Sequence, residues 1–263
     1  MVIKKLDLDA SEGRDEHIVE NNINELYLQL FLEMSKILGD NVFLKGSVLL
    51  GNLLPDVARA TKDLDCSILN KELYNSHIVP CLDMFAQKVM RPGWTYQVSS
   101  IKDTQSGGIK IYDADSKIVY SVDISVSKTE LMGVTFHNIC GRTVLGSSIE
   151  KIIADKCLTT LSRQRYRRVK DFYDLYTILR SRLVYRVEDV ARIMLVARTR
   201  EEVVELLGNV PFSEEVGRQV EIAWDKLYLR SFSGEHIKLS KPEMLQVLST
   251  VYQLYDKLKL VMR

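Results

Sequence analysis

Asp63 and Asp65 stand two residues apart in the apolar run "KDLDCSIL". Successive side chains of a strand point to opposite faces, so the two carboxylates project together while Leu64 and Cys66 face the other way. Carboxylates side by side repel and share a proton unless a cation sits between them, and an unpaired buried charge costs several kcal/mol. Mg²⁺ is the natural candidate, because it binds through one or two carboxylates and completes its shell with water and substrate phosphates. A bare Asp-x-Asp fits a solvated edge strand equally well, so the pair needs support from its neighbours.

Upstream, "NVFLK" runs into Gly46-Ser47 and then "VLLGNLL", a strand, a glycine turn and a helix. A helix N-terminus offers backbone N–H groups and a favourable dipole to phosphate, and Ser47 adds a hydroxyl. The same residues would serve a plain β–α turn, and Lys45 is either a phosphate contact or a surface lysine. Downstream, "YSVDISVS" alternates, with Val122, Ile124 and Val126 on one face and Ser121, Asp123 and Ser125 on the other. If this strand neighbours the first, Asp123 completes a three-carboxylate site that can hold metal and orient an attacking hydroxyl. If not, it is a lone aspartate facing solvent.

The elements that must position these residues read from periodicity. Ile23, Leu26, Leu30, Met34 and Leu38 mark one face of a helix that Gly39 ends. "KELYNSHIVPCLDMFAQKVM" reads as a helix kinked or broken at Pro80. "WTYQVSSI", "GIKIYDA" and "KIVYSVDISVS" read as three antiparallel strands joined by tight turns. From Ser148 onward six segments carry helical periodicity, punctuated by Gly208, Pro211, Gly234 and Pro242. The division expected is residues 1–147 as a sheet-containing domain and 148–263 as a helical one that completes the active-site cleft.

Composition bounds the rest. Net charge is +1, so any nucleic-acid contact must come from a local patch. The four cysteines are far apart with no CxxC pair, which argues against a zinc site and fits a reducing, cytoplasmic setting. The four histidines show no metal spacing. No apolar run reaches the ~18 residues of a membrane span, and the start lacks the apolar core of a signal peptide. The densest positive segment is "SRQRYRRVK", with Arg163, Arg165, Arg167, Arg168 and Lys170 around Tyr166. Arginines suit phosphate and an aromatic ring suits an unpaired base, although charge runs are often merely solvated loops.

A Gly-Ser turn, an Asp-x-Asp strand and a later strand carboxylate resemble the polymerase-beta-like nucleotidyltransferase superfamily. "LKGSVLL…RATKDLDCSI" looks more specifically like the AbiEii/AbiGii-type toxins, including the MenT group, with Arg59, Thr61, Asp63 and Asp65 at the motif positions. "IEKIIADKCLTTLSRQRYRRVKDFYDLYTIL" is similar to the family's later motifs at Lys156, Arg168, Lys170, Asp171 and Asp174. The resemblance implies an α+β fold, with a mixed or antiparallel sheet followed by an all-helical domain. It implies NTP bound by Lys45, Gly46, Ser47, Arg59, Thr61 and Arg168, and Mg²⁺ on Asp63 and Asp65 with Asp123 as a third ligand. Lys156 would touch the nucleotide phosphates and Asp171 would be a further essential acid. The implied reaction is nucleotide transfer to RNA, at the tRNA 3′ end, which stops translation. A cognate antitoxin is expected, as a binding partner or a modifying enzyme. The alternatives are nucleotidylation of a protein hydroxyl, or a non-catalytic NTP-binding module that sequesters a partner.

Overall fold

A computed structural model describes residues 2–4, 23–55, 61, 63–99, 106–126, 133–162, 165–231 and 242–262. Described residues of Met1–Leu53, Thr61–Glu130 and Val134–Gly146 pack as one unit, and those of Leu54–Ala60, Leu131–Gly133 and Ser147–Arg263 as another.

The first unit is built on a mixed sheet of eight described strands: β1 (Val2–Lys4), β2 (Val42–Lys45), β3 (Asp63–Ile68), β4 (Thr95–Ser99), β5 (Ser106–Tyr112), β6 (Ile118–Val126), β7 (Val134–Ile139) and β8 (Arg142–Ser147). Their order is β1-β4-β5-β6-β3-β2-β8-β7. The β4–β5–β6 run is antiparallel, as the alternation and turns predict. Next to it β3 pairs with β6 in parallel and with β2 antiparallel. Period-2 patterning then sorts the side chains. Leu64, Cys66 and Ile68 of β3, Val122 and Ile124 of β6, and Ile109 and Ile111 of β5 are buried on one face. Each such aliphatic side chain contributes about 1.5–3 kcal/mol.

Against the apolar face lie α1 (Ile23–Leu38) and α3 (Val79–Val89). Tyr27 of α1, Phe85 of α3 and Tyr120 of β6 pack as an aromatic cluster with centroids 5.9–6.2 Å apart. Gly39, at φ +55°, ends α1 as its sequence suggests. A short helix, α2 (Gly46–Leu53), follows β2 directly and buries Val48, Leu49 and Leu50.

The second unit is all-helical among its described elements: α4 (Ile149–Thr160), α5 (Val169–Arg180), α6 (Val187–Ala197), α7 (Arg200–Gly208), α8 (Glu214–Ser231) and α9 (Met244–Val261). The six segments with helical periodicity are these six helices. Ser148 caps α4, its hydroxyl accepting from Lys151 N at 3.2 Å. Thr199 and Glu202 form a capping box at the start of α7. α5, α6 and α7 pack on α9, whose Val247, Val251, Leu254, Tyr255 and Leu258 form its buried stripe. The whole is an α+β protein, and no described helix is long and apolar enough to cross a membrane.

Three elements differ from the sequence reading, the first being β1, at a start for which no strand was expected. The helix before Pro80 does not break. It widens into a π turn over Tyr74–Ile78, and Pro80 sits in the first turn of α3, where a missing N–H costs least. The β7–β8 hairpin was not anticipated. Its turn is Cys140-Gly141, both at positive φ (50° and 75°). That geometry is the type I′ class, carried here by a cysteine instead of the usual Asn or Asp.

Candidate active site

The face of the sheet opposite the aromatic cluster carries the polar residues, and strand register aligns them in rows. Lys45 of β2 pairs with Asp65 of β3, Asp65 with Asp123 of β6, and Asp123 with Gly108 of β5. One row along, Asp63 pairs with Ser121 and Ser121 with Lys110. The parallel β3–β6 pairing therefore meets the condition on which Asp123 could join Asp63 and Asp65. Asp63 and Asp65 are half-buried and Asp123 is exposed.

Gly46 is fixed by geometry twice over. Its φ is +72°, and a Cβ there would overlap the Asp65 carboxylate. The glycine lets the Asp65 carboxylate lie against the start of α2. Ser47 follows, half-buried. The Lys45 ammonium reaches across β3 to donate to Ser125 Oγ at 2.8 Å, and Ser125 shares a 2.7 Å hydrogen bond with Ser67.

The three carboxylates share a face without converging. Ser121 Oγ donates to Asp123 Oδ2 at 3.3 Å, while Asp65 leans towards Gly46. Among the described residues no group of three or more His, Cys, Asp or Glu side chains is disposed to hold a metal ion. The expected three-ligand cage is thus not preformed among the described residues. The donor set still suits a hard cation. Oxygen-only carboxylates in register fit Mg²⁺, which takes one or two of them and fills its shell otherwise.

Charge from this face is felt across the sheet. Burial pushes the Tyr27 phenol well above its usual range, and Asp63 and Asp123 push the same way. Burial likewise raises Tyr74 to about 12, with Asp123 adding to it. Burial, then the Asp65 charge, raises the Cys66 thiol. These groups stay protonated at neutral pH.

The Thr61 hydroxyl is engaged with its own chain, accepting from Asp63 N at 3.3 Å and lying 3.2 Å from Asp63 O. It shapes the entry to β3. Arg59 lies outside the described residues. Arg168 is exposed at the start of α5.

In the helical unit, Lys156 of α4 is 7% exposed. Its ammonium donates to Asp171 Oδ1 at 3.1 Å and to Asp174 Oδ2 at 2.6 Å, both on α5. Asp171 and Asp174 share a helix face, as three-residue spacing dictates. The resemblance gave Lys156 to the nucleotide phosphates and named Asp171 and Asp174 as motif positions. The structure ties all three into one buried ion triad.

Lys110 and Gln97 were missed. "GIKIY" was read as a strand, but nothing local says that its polar face continues the acidic one.

Solved structures that match across most of their length include an H. pylori protein assigned as a nucleotidyltransferase. It is 12% identical over 90% of this chain and 93% of that one, with a TM-score of 0.48. JHP933 from Helicobacter pylori is 15% identical over 91% and 93%, with a TM-score of 0.44. The antibiotic-resistance factor ANT(2'')-Ia is 15% identical over 69% and 95%, with a TM-score of 0.46. No curated protein sequence matches the chain. A family model described as "Nucleotidyl transferase AbiEii toxin, Type IV TA system" matches residues 31–245, a span that includes every candidate residue above. The chain belongs to the AbiEii family of nucleotidyltransferase toxins of type IV toxin–antitoxin systems.

Proposed function

We propose that the protein transfers a nucleotide from an NTP to an RNA hydroxyl, that of the tRNA 3′ end, in a Mg²⁺-dependent reaction that stops translation. One observation carries this reading: the row Lys45–Asp65–Asp123 across three paired strands, with Gly46 shaped around the Asp65 carboxylate.

In this reading Gly46 and Ser47 seat the triphosphate at the start of α2, and Lys45 adds positive charge there. Asp63, Asp65 and Asp123 would hold Mg²⁺, which when bound supplies charge neutralisation to the entering and leaving oxygens. The acceptor hydroxyl oxygen attacks the α-phosphorus in line. An O–P bond forms as the bond to the bridging oxygen breaks, and pyrophosphate leaves with that electron pair. The hydroxyl proton passes to an aspartate of the row and on to water. Lys156 is assigned to the charge that develops on pyrophosphate, with Asp171 as the carboxylate that fixes its ammonium. Arg59 and Arg168 are assigned to phosphate contacts. The setting proposed is cytoplasmic, with a cognate antitoxin acting as a binding partner or as a modifying enzyme.

The test incubates the protein with total RNA and each α-labelled NTP in turn, beside Asp63→Ala. Label on tRNA with the wild type alone is the expected result. Label on protein alone would replace the RNA acceptor with a protein hydroxyl. Growth inhibition by Asp63→Ala at equal expression would point instead to a sequestering NTP-binding module.

A further inference from the structure

An in-line displacement holds the entering and leaving oxygens on opposite sides of the phosphorus. Lys45, Gly46 and Ser47 stand on the β2 side of the acidic row. An acceptor must therefore arrive from the other side, over β5 and β4. There the polar face carries a cavity of about 180 Å³, whose lining includes Asp123, Gly108, Lys110, Gln97 and Ser99. These residues are tied to the row by register: Gly108 pairs with Asp123, Lys110 with Ser121, Gln97 with Lys110, and Ser99 with Gly108. Lys110 is the cation of the β5 side, because the Lys45 ammonium is turned across β3 to Ser125 of β6.

Two features fit this cavity to a ligand. At Gly108 a Cβ would collide with the Val122 carbonyl, and φ is +149°, so no side chain fills the floor beside Asp123. Lys110 is exposed, and its side chain forms no hydrogen bond or ion pair among the described residues. The volume is below the roughly 300–1,000 Å³ of whole-ligand pockets. It suits one ribose-phosphate unit, with bases lying outside it.

We propose that this cavity seats the 3′-terminal ribose-phosphate of the RNA acceptor. Lys110 contacts the last phosphodiester, Gln97 hydrogen-bonds the sugar, and the 3′ hydroxyl is presented beside Asp123. This rests on the nucleotidyl-transfer reading above and adds to it where the acceptor is held.

The experiment uses the full chain with Mg²⁺, NTP and the RNA that the wild type labels, comparing wild type with Lys110→Ala and Lys110→Arg across a salt series. Melting temperatures and the thermal shift given by Mg²⁺ with NTP report folding and nucleotide binding. Lys110→Ala is expected to raise the acceptor KM about tenfold, the worth of one charge-assisted contact. NTP KM should stay unchanged and kcat within about twofold, as for a contact equal in ground and transition states. The slope of log KM for acceptor against log salt should fall by about 0.7. Lys110→Arg should restore most of the affinity. An unchanged acceptor KM, or a shift in NTP KM instead, overturns the subsite while leaving the transferase reading standing. A wild type that labels no RNA at all overturns that reading, and the subsite with it.

Discussion

The protein gathers carboxylates in two places and settles their charge in different ways. In the helical unit Asp171 and Asp174 close on the Lys156 ammonium at 3.1 and 2.6 Å, and all three are less than 10% exposed. On the sheet Asp63, Asp65 and Asp123 share a half-exposed face, the Ser121 hydroxyl donates to Asp123, and Lys45 gives its ammonium to Ser125. The first cluster carries its own cation and is fixed by burial. The second lies on a face where Asp63 and Asp65 are half-buried and Asp123 is exposed. The contrast is between carboxylates held by a buried ammonium and carboxylates on a half-exposed face. Changes in the triad should be felt first in stability, with the proposed role of Lys156 adding a loss of turnover, and changes in the row in turnover alone.

Breaking the triad is the largest expected effect. Removing one partner of a buried ion pair leaves the rest uncompensated, at a cost of about 3–5 kcal/mol. Lys156→Ala leaves two carboxylates facing each other, so its chemical-denaturation midpoint should drop by that equivalent. Lys156→Ala combined with Asp171→Asn and Asp174→Asn should regain much of the loss. If the single variant melts like the wild type, the triad is not what holds α4 to α5. Retained full activity in that variant would also remove Lys156 from the proposed mechanism.

Asp65→Asn tests the other side. An amide NH₂ replaces an oxygen proposed to bind the metal, on a face already partly in water. Turnover should fall about 10²–10³-fold, the several kcal/mol that a lost metal contact is worth. The melting temperature should move little, as for surface substitutions of about ±0.5 kcal/mol. Label incorporation and thermal melting measured together decide it. A large stability loss with proportionate activity loss would make Asp65 structural.

Gly46→Ala sits between the two. A non-glycine residue at positive φ costs about 1–2 kcal/mol, and the new methyl displaces the Asp65 carboxylate. Moderate destabilisation is expected with an activity loss larger than the lost folded fraction explains. A variant that melts lower but turns over normally would show that the Asp65 position against Gly46 is unrelated to chemistry.

How far the sequence carried this comparison depends on the range of each interaction. The shared face of Asp63 and Asp65 is a consequence of strand pleat, legible from two residues' spacing. The Gly46 turn and α2 were legible because strand, glycine and apolar helix follow one another within a dozen residues. The parallel alignment of Asp65 with Asp123 joins strands far apart in the chain, and alternation alone could state it only as a condition. The triad failed for the same reason. Spacing put Asp171 and Asp174 side by side, but the helix that supplies their cation is chosen by packing between α4 and α5. Pro80 and Cys140-Gly141 misled in a smaller way: a π turn absorbed the proline, and an uncommon residue took a positive-φ turn position. Lys110 was passed over because "GIKIY" reads as an ordinary strand until its register with β6 is known.

The smallest expected effect sharpens the division between stability and turnover. The Thr199 hydroxyl accepts from Glu202 N at 3.3 Å, and the Glu202 carboxylate accepts from Thr199 N at 2.9 Å, at the start of α7. Thr199→Ala removes half of this capping box and should cost about 1 kcal/mol. It loosens the helical unit without touching Lys156, Asp171 or Asp174. Assayed well below its melting temperature, it should turn over like the wild type. That outcome would mean an activity loss in Lys156→Ala cannot be ascribed to general loosening of the helices. Reduced turnover in Thr199→Ala at full occupancy of the folded state would instead make the stability of the helical unit itself a determinant of the reaction, and the contrast between the two acidic clusters would lose its force.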